Sequence, residues 1–258
     1  MEVTSLARTR HSFVVRGTER LTDHLIRVRL GGPGFAAFQP NGFTDAYVKL
    51  LFPLPDGEVM RTYTVRSIDP EAEEIAIDFV YHGDEGIAGP WAAGAQPGDT
   101  IDLFGPGGAY APRADADWHL LAGDESALPA ISAACAALPS DAVGRVFVEI
   151  AGPAEELAVE RPVGVELTWL HRGSGAPGEA LAAAVRAEPW RDGRVHVFIH
   201  GEAQAVMHEL RPYIRKERGV TAEFASISGY WRRGRTEEGF REWKRDLAES
   251  ESVSTAAR

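Results

Sequence analysis

The hydrophobic pattern of this 258-residue chain changes its period once, close to residue 110. From about residue 10 to residue 103, apolar residues form short runs separated by turns that contain Gly and Pro, which is typical of β-strands. After Gly108, short apolar runs alternate with helix-like stretches such as residues 126–138 and 203–218. We therefore predict an α+β two-domain fold, in which a small antiparallel β-barrel or sandwich precedes an α/β domain with a parallel sheet.

The domain boundaries follow from this change of pattern. We predict a barrel domain over residues 1–112 and an α/β domain over residues 113–248, followed by a disordered polar tail over residues 249–258. The segment Gly105-Pro-Gly-Gly108 is interpreted as a turn between the domains. It is not a dinucleotide-binding fingerprint, because no helix follows it.

Charge and cysteine content exclude several classes of protein. The chain has 27 Lys and Arg residues against 38 Asp and Glu residues, and this net charge of −11 disfavours nucleic acid as a partner. Cys135 is the only cysteine, which excludes an internal disulfide and a four-thiolate metal site. His196 and His200 lack a third ligand, so we expect no metal site.

The sequence also predicts where in the cell the protein is found. No apolar run reaches the roughly 18 residues that a membrane-spanning helix needs. The first residues lack the apolar core of a secretory signal. We expect a monomeric, cytoplasmic protein that does not insert into a membrane.

Residues 61–66, Arg-Thr-Tyr-Thr-Val-Arg, lie on a predicted barrel strand. Strand alternation gives this segment two faces, with Arg61, Tyr63 and Val65 on one and Thr62, Thr64 and Arg66 on the other. A tyrosine ring can stack on a flat cofactor, a threonine hydroxyl can bond a ring nitrogen, and an arginine can bind a phosphate. An amphipathic edge strand with solvated arginines would have the same composition, so both interpretations stay open.

A loop after His82 is suited to a phosphate group. It contains the small residues Gly86, Ala88 and Gly89, and Pro90 stands near the start of a short helix. Backbone of this kind can approach a pyrophosphate closely. An ordinary loop with a proline at the helix start is the alternative.

The predicted parallel sheet offers a second place for a nucleotide, outside the carboxyl ends of its strands. The segment Gly123-Asp-Glu-Ser126 follows the first of these strands, and His200-Gly-Glu-Ala203 repeats the arrangement at a later one. The alternative is that Asp124 or Ser126 only caps the helix that follows.

Together with Gly229-Tyr-Trp-Arg-Arg-Gly234, these segments resemble the siderophore-interacting proteins, FAD-dependent ferric-siderophore reductases of the ferredoxin-reductase-like superfamily. The resemblance covers about residues 10–247. It implies FAD between the barrel and a nicotinamide-nucleotide domain, with NADPH or NADH as the electron donor. The residues assigned to the cofactors are Arg61, Thr62, Tyr63, Thr64, His82, Gly86, Ala88, Gly89, Trp91, Gly123, Asp124, Glu125, Ser126, Arg172, Gly201, Glu202, Tyr230 and Trp231.

The resemblance also implies roles for individual residues. Arg61 would hold a flavin phosphate, Tyr63 would face the isoalloxazine, and Thr64 would hydrogen-bond near flavin N5. Tyr63 and Thr64 are therefore the catalytic candidates. Residues 86–91 would cradle the pyrophosphate, although Ile87 stands where the family usually has a proline.

Basic residues are candidates for binding anionic groups. Arg172 comes just after a strand predicted over residues 165–170, where a basic residue can select the 2′-phosphate of NADPH; an exposed loop arginine is the alternative. Around the flavin, a basic rim could concentrate an anionic ferric siderophore, unless its members only pair with carboxylates. The rim residues are Lys49, Arg66, Arg232 and Arg233.

These expectations describe an FAD-dependent NAD(P)H:ferric-siderophore reductase, which reduces siderophore-bound Fe(III) to Fe(II) and so releases iron inside the cell. Two alternatives stay open. One is a general NAD(P)H-dependent flavin or electron-carrier reductase on the same scaffold. The other is a non-catalytic siderophore-binding protein.

Overall fold

The computed structural model describes residues 9–235, together with residues 239 and 243. The tail predicted over residues 249–258 lies outside the described residues, as does most of the chain after residue 235. Among the described residues, no helix is both long enough and apolar enough to cross a membrane.

The first part of the chain folds into a closed barrel of six strands in the order β1-β2-β5-β4-β3-β6. Neighbouring strands are antiparallel, which confirms the predicted barrel. A short helix, α1, precedes the last strand. The bounds are β1 (Arg10–Thr22), β2 (Leu25–Gly31), β3 (Tyr47–Leu54), β4 (Gly57–Asp69), β5 (Glu74–Val80), α1 (Ala88–Gly94) and β6 (Thr100–Gly107).

The barrel closes around alternating apolar residues. Alternate residues are fully or almost fully buried, as strand alternation requires: Ile26, Val28 and Leu30 in β2, and Val48, Leu50 and Phe52 in β3. Val28, Leu50, Ile77 and Leu103 each have 0% of their surface exposed and lie in one apolar cluster. Branched and aromatic side chains fill this interior, which accounts for the strand-rich pattern of the sequence.

The segment Gly105–Gly107 is the end of β6 and not a turn between the domains. Gly107 pairs with Tyr47 across the β3–β6 ladder, and a Cβ at Gly107 would collide with the ring of Tyr47. These glycines serve close packing, and this is why a turn was the wrong interpretation. The connection runs from Gly108 to residue 117, where Asp45 Oδ1 accepts hydrogen bonds from N of Ala109 and N of Tyr110 at 2.8 Å.

The second part of the chain is a five-stranded sheet in the order β11-β10-β7-β8-β9. All its strand pairs are parallel, which confirms the predicted α/β domain. Helical segments lie between β7 and β8, between β9 and β10 and between β10 and β11, whereas β8 and β9 are joined by a loop with a single 3₁₀ turn at Pro153–Glu155. The bounds are β7 (Trp118–Asp124), α2 (Leu128–Ala137), β8 (Gly144–Ile150), β9 (Val165–His171), α3 (Glu179–Ala187), β10 (Val195–Glu202) and β11 (Ala225–Trp231).

The helix predicted over residues 203–218 is irregular in the structure. It consists of two π-helical segments, Gln204–Leu210 and Tyr213–Glu217, separated at Arg211 and Pro212. Proline has no N–H to donate and disturbs a regular helical ladder. One face of these segments packs into the domain, with Leu210 and Ile214 fully buried.

The two domains share an apolar interface. Leu25 of β2 and Tyr110 of the connection lie in one buried cluster with Ile131 of α2 and Phe198 of β10. Polar contacts lie beside this cluster: Thr22 Oγ donates to Glu155 Oε2, and His24 Nδ1 lies 2.8 Å from Glu155 Oε1.

The buried imidazole of His196 predicts that the folded protein is less stable at acidic pH. His196 stacks on Tyr110 with ring centroids 4.6 Å apart, and its Nδ1 accepts a hydrogen bond from N of Arg113 at 3.3 Å. Burial lowers the pKa of His196 to about 4, and the neighbouring His119 and Arg113 act in the same direction. An unfolded histidine has a pKa of about 6.5, so the unfolded chain binds more protons between these two values.

Stability should therefore decrease as the pH falls from about 6.5 towards about 4. We expect His196 to account for a loss of about 1–2 kcal/mol in the free energy of unfolding between pH 7.5 and pH 5, measured by urea denaturation. His196→Phe keeps an aromatic ring beside Tyr110 and should reduce this loss. The exposed His171→Gln is the control, and an equal loss in all three proteins would contradict the assignment.

Candidate functional site

The catalytic candidates lie on β4 at one end of the barrel. The ring of Tyr63 is half-buried and packs on Phe79, with centroids 4.4 Å apart. Phe79 also contacts Trp91 of α1, with centroids 5.7 Å apart. Arg61 is half-buried, and its Nη1 donates to the carbonyl oxygen of Met60 at 3.1 Å. The contacts of Phe79 with Tyr63 and Trp91 link β4 to α1, and Tyr63 keeps part of its surface exposed.

The alternation predicted along β4 is interrupted after Thr64. Thr64 and Val65 are both buried, and the ladder to β5 pairs Val65 with Ile77 but Ser67 with Ala76. Arg66 is therefore the extra residue of a β-bulge, which redirects the chain. Thr62 remains exposed. A bulge leaves no mark in a pattern of apolar and polar residues, so the sequence did not predict it.

Arg66 lies at the domain interface. Burial lowers the pKa of its guanidinium, and its charged neighbours include Asp78 and Arg27 of the barrel and Glu160 of the α/β domain. Arg27 already binds Asp78 through two hydrogen bonds of 2.7 and 2.8 Å. The role of Arg66 in the basic rim predicted with Lys49, Arg232 and Arg233 stays a prediction.

Lys49 lines a cavity of about 400 Å³ beside β3 and β6. Tyr47 lines the same cavity and stands directly opposite Thr64 in the β3–β4 ladder. Opposite residues of a ladder project from the same face of the sheet. The cavity therefore adjoins the face of β4 that carries Thr64. None of the other three rim cations, all within the described chain, lines it.

The loop before α1 has room at the positions predicted to approach a phosphate. Gly86 has φ of 77°, and no atom lies within 4 Å of where its Cβ would stand. Gly89 packs α1 against β5, because a Cβ there would lie 3.1 Å from the carbonyl oxygen of Val80. Ile87 has φ of −123°, which a proline could not adopt, so this loop differs from the usual family loop. His82 is exposed, with its ring centroid 6.2 Å from that of His24.

At the carboxyl edge of the sheet, Asp124 accepts four hydrogen bonds. Oδ1 accepts from N and Oγ of Ser126 at 3.0 and 2.5 Å, and Oδ2 accepts from N of Glu202 and Nε1 of Trp231, both at 2.8 Å. The alternative of a helix cap is wrong, because α2 starts at Leu128 without a side-chain cap. Burial and the nearby Glu125 carboxylate raise the pKa of Asp124 to about 6, against the effect of the hydrogen bonds.

Glu202 is a second buried carboxylate at this edge. Its Oε2 accepts from N of Gln204 and N of Ala205 at 2.6 and 3.0 Å, and its Oε1 accepts from N of Arg233 at 3.2 Å. Gly123 is equally constrained, since a Cβ there would lie 2.5 Å from the carbonyl oxygen of His200. Both motifs predicted at strand ends therefore meet in one compact turn cluster.

Arg172 is not an exposed loop residue. Its Nη2 lies 2.8 Å from Oε1 of Glu125 and its Nη1 lies 3.3 Å from Oε1 of Glu149. Glu149 is fully buried and also accepts from N of Gly178 at 2.8 Å and N of Leu181 at 3.0 Å. Glu149 was not predicted from the sequence, although a glutamate within the apolar run of β8 is a signal for a buried polar contact. The NADPH contact of Arg172 stays a prediction.

The barrel and the sheet meet at Thr64. The hydroxyl of Tyr230 lies beside the Thr64 side chain, and burial raises the pKa of Tyr230. The next residue, Trp231, is half-exposed. Arg232 lies over the ring of Trp243 at 4.5 Å, and Arg233 is exposed. The fold thus brings the flavin-binding candidates of β4 next to the strand end that carries Tyr230 and Trp231.

The residues present fit the FAD that the resemblance implies. Tyr63 offers a partly exposed ring, Arg61 offers a half-buried guanidinium, and the open space at Gly86 would admit a pyrophosphate. Among the residues that the structure describes, no group of three His, Cys, Asp or Glu side chains is arranged to hold a metal ion.

Two family models match the chain. Residues 14–60 and 56–110 match the siderophore-interacting FAD-binding domain, and residues 116–234 match the siderophore-interacting protein family. The chain is 54% identical to the uncharacterized protein Rv2895c of Mycobacterium tuberculosis, covering 95% of this chain and 98% of that protein. It is 32% identical to the ferric vibriobactin reductase ViuB of Vibrio cholerae, covering 90% and 92% of the two chains.

Solved structures agree with these matches. The crystal structure of a siderophore utilization protein from T. fusca superposes with a TM-score of 0.80 at 39% identity, covering 88% of this chain and 94% of that one. A ferredoxin NADP⁺ reductase from Neisseria gonorrhoeae shares the fold, with a TM-score of 0.63 at 13% identity. The superposition covers 87% of this chain and 100% of that one. The chain belongs to the siderophore-interacting protein family.

Proposed function

We propose that this protein is an FAD-dependent NAD(P)H:ferric-siderophore reductase. The observation that carries the proposal is the Thr64–Tyr230 contact, because it joins the strand that would bind flavin to the sheet edge that would bind a nucleotide. The family match supports the flavin, and the relative named as a ferric vibriobactin reductase supports the reaction.

In this proposal the barrel residues orient the flavin. Arg61 would hold a phosphate, Tyr63 would face the isoalloxazine, Thr64 would hydrogen-bond near N5, and the backbone of residues 86–91 would receive the pyrophosphate. Bound FAD would accept a hydride and pass its electrons on singly, which a nicotinamide cannot do towards Fe(III).

The sheet edge would receive the nucleotide. Tyr230 beside Thr64 and the half-buried Trp231 that follows it would offer ring surfaces to the nucleotide. If Arg172 binds the 2′-phosphate of NADPH, that phosphate must displace the Glu125 carboxylate from the guanidinium. Arg172→Ala should then impair flavin reduction by NADPH more than by NADH.

The ferric siderophore would enter beside Thr64 through the cavity of Lys49 and Tyr47. Lys49 supplies a positive charge for an anionic chelate, despite the acidic protein as a whole. Reduction makes the metal a softer ion that hard oxygen donors hold less tightly, so Fe(II) leaves the siderophore. Iron is therefore a passing substrate.

The test is the colour of the purified protein. We expect a yellow protein with one flavin spectrum, bleached anaerobically by NADPH or NADH, and re-oxidised when a ferric chelate is added. Faster re-oxidation by cytochrome c or a quinone than by ferric chelates would favour a general electron-carrier reductase. A flavin that neither nucleotide reduces would contradict the proposal and favour a siderophore-binding protein.

Lys49→Ala should weaken the use of an anionic ferric chelate. We expect the apparent KM for the chelate to rise about 5-fold at low salt, as the loss of one attractive charge of about 1 kcal/mol predicts. The difference from wild type should shrink at high salt, because screening acts over about 10 Å at 0.1 M. Steady-state kinetics at both salt concentrations measure this.

The matched control is Lys216→Ala, an exposed lysine in the second π-helical segment. It should leave the KM for the chelate unchanged at both salt concentrations. If the KM for the chelate does not depend on salt and Lys49→Ala does not change it, Lys49 is not part of the substrate site.

A further inference from the structure

One buried carboxylate connects three strand ends of the α/β domain. Asp124 closes β7, and its hydrogen bonds reach Glu202 at the end of β10 and Trp231 at the end of β11. These strands are neighbours in the sheet, in the order β11-β10-β7. The carboxylate therefore determines how the three ends stand relative to one another.

The turn between β10 and the following helix is shaped around this carboxylate. Gly201 has φ of 146°, and a Cβ there would lie 2.7 Å from Oδ2 of Asp124. The ladder to β11 is irregular at this point, with Gly201 paired to Gly229 and Glu202 paired to Trp231. The irregularity brings the indole N–H of Trp231 to the same oxygen that binds Glu202 N.

Stability alone does not account for this arrangement. Asp124 is 2% exposed, and its raised pKa shows that the surroundings oppose its charge. An apolar side chain would avoid this unfavourable burial. A perturbed carboxylate at the edge where α/β sheets bind ligands points instead to a role in the site. The indole that it holds is half-buried, so one edge of Trp231 is anchored while part of its surface stays accessible.

We propose that Asp124 is a positioning residue, which holds the indole of Trp231 and the Gly201–Glu202 turn as a preformed surface for the nicotinamide nucleotide. The proposal rests on the proposed function, because it assumes that a nucleotide binds at this edge. Asp124 acts through Trp231 and Glu202, because both of its oxygens already accept hydrogen bonds from Ser126, Glu202 and Trp231. A nucleotide that finds this surface already ordered loses less conformational entropy on binding.

The test is Asp124→Asn in the FAD-loaded protein. The amide keeps the size of the side chain but replaces one acceptor oxygen with a donor. We expect the KM for NADPH or NADH, and the Kd of the oxidised nucleotide from calorimetry, to rise about 10-fold. FAD content and kcat at saturating nucleotide should stay within about 2-fold, because the barrel residues are unchanged. The ¹H–¹⁵N resonance of the Trp231 indole, assigned by its loss in Trp231→Phe, should shift.

Trp231→Phe provides an independent variant that retains the carboxylate. It should also raise the KM for the nucleotide, and the double variant should be no worse than the more affected single variant. Asp117→Asn is the matched control: this carboxylate at the other end of the sheet accepts N of Arg194 at 2.6 Å and should leave all readouts unchanged.

An unchanged KM in Asp124→Asn, or additive effects of the two substitutions, would overturn the proposal. If Asp124→Asn does not fold, an unchanged nucleotide KM in Trp231→Phe overturns it equally. A wild-type flavin that neither nucleotide reduces would contradict the proposed function itself. If the nucleotide reduces the wild-type flavin and the variants have the same KM for the nucleotide as wild type, only the role of Asp124 is contradicted.

Discussion

Replacing Arg61 with alanine is expected to weaken FAD binding about 10- to 150-fold, since a charge-assisted hydrogen bond to a phosphate contributes about 1.5–3 kcal/mol. Arg61 is half-buried on β4, where one guanidinium nitrogen donates to the carbonyl oxygen of its neighbour Met60. The barrel core does not depend on it, so the variant should fold. The Kd can be measured from flavin fluorescence on adding FAD to apoprotein, and occupancy from the flavin-to-protein ratio after gel filtration.

Two companion variants sharpen this prediction. Arg61→Lys keeps the charge but not the planar fork, and should give an intermediate loss of affinity. Arg29→Ala removes an exposed arginine of the same barrel, whose nitrogen lies 3.7 Å from Glu74, and should bind FAD like wild type. Full occupancy and an unchanged Kd in Arg61→Ala would show that the phosphate lies elsewhere.

The second large effect concerns stability. Glu149→Ala should lower the free energy of unfolding by about 3–5 kcal/mol, because it removes one partner of a buried charged network. The buried N–H groups of Gly178 and Leu181 at the start of α3 would lose their acceptor, and Arg172 would lose one of its two carboxylates. Urea denaturation of the purified protein measures the loss.

Glu149→Gln retains the size and part of the hydrogen bonding, so a smaller loss of about 1–3 kcal/mol is expected. Glu166→Ala is the comparison at the surface: its side chain is 66% exposed, and losing its pairing with Arg145 should change stability by less than about 1 kcal/mol. Similar losses in Glu149→Ala and Glu166→Ala would mean that the buried network contributes little.

Local pattern was sufficient to predict the architecture. Alternation in β2 and β3, and apolar runs such as residues 118–122 and 195–200, report directly on which side of a strand is buried. Predictions failed where residues have more than one physical use. The glycines of Gly105–Gly107 were interpreted as a turn but allow a strand to pass the ring of Tyr47.

The site was predictable only in part. The strand of Arg61, Tyr63 and Thr64 lies within one short segment, so its composition could be interpreted without a fold. Asp124 and Trp231 are 107 residues apart, and their contact depends on the strand order and the register of the parallel sheet. Such register is set by packing of the whole domain and leaves no local signature.

The cluster shared by Leu25, Tyr110, Ile131 and Phe198 constrains how ligands reach the protein. Separating the two domains would expose this apolar surface to water, and the free-energy cost rises in proportion to the exposed apolar area. Under the proposed function, the nucleotide and the ferric chelate would therefore reach the flavin from the solvent-exposed side of two domains that stay packed together. Electron donor and electron acceptor would then bind there in turn, and no hinge motion would be needed to bring one to the other.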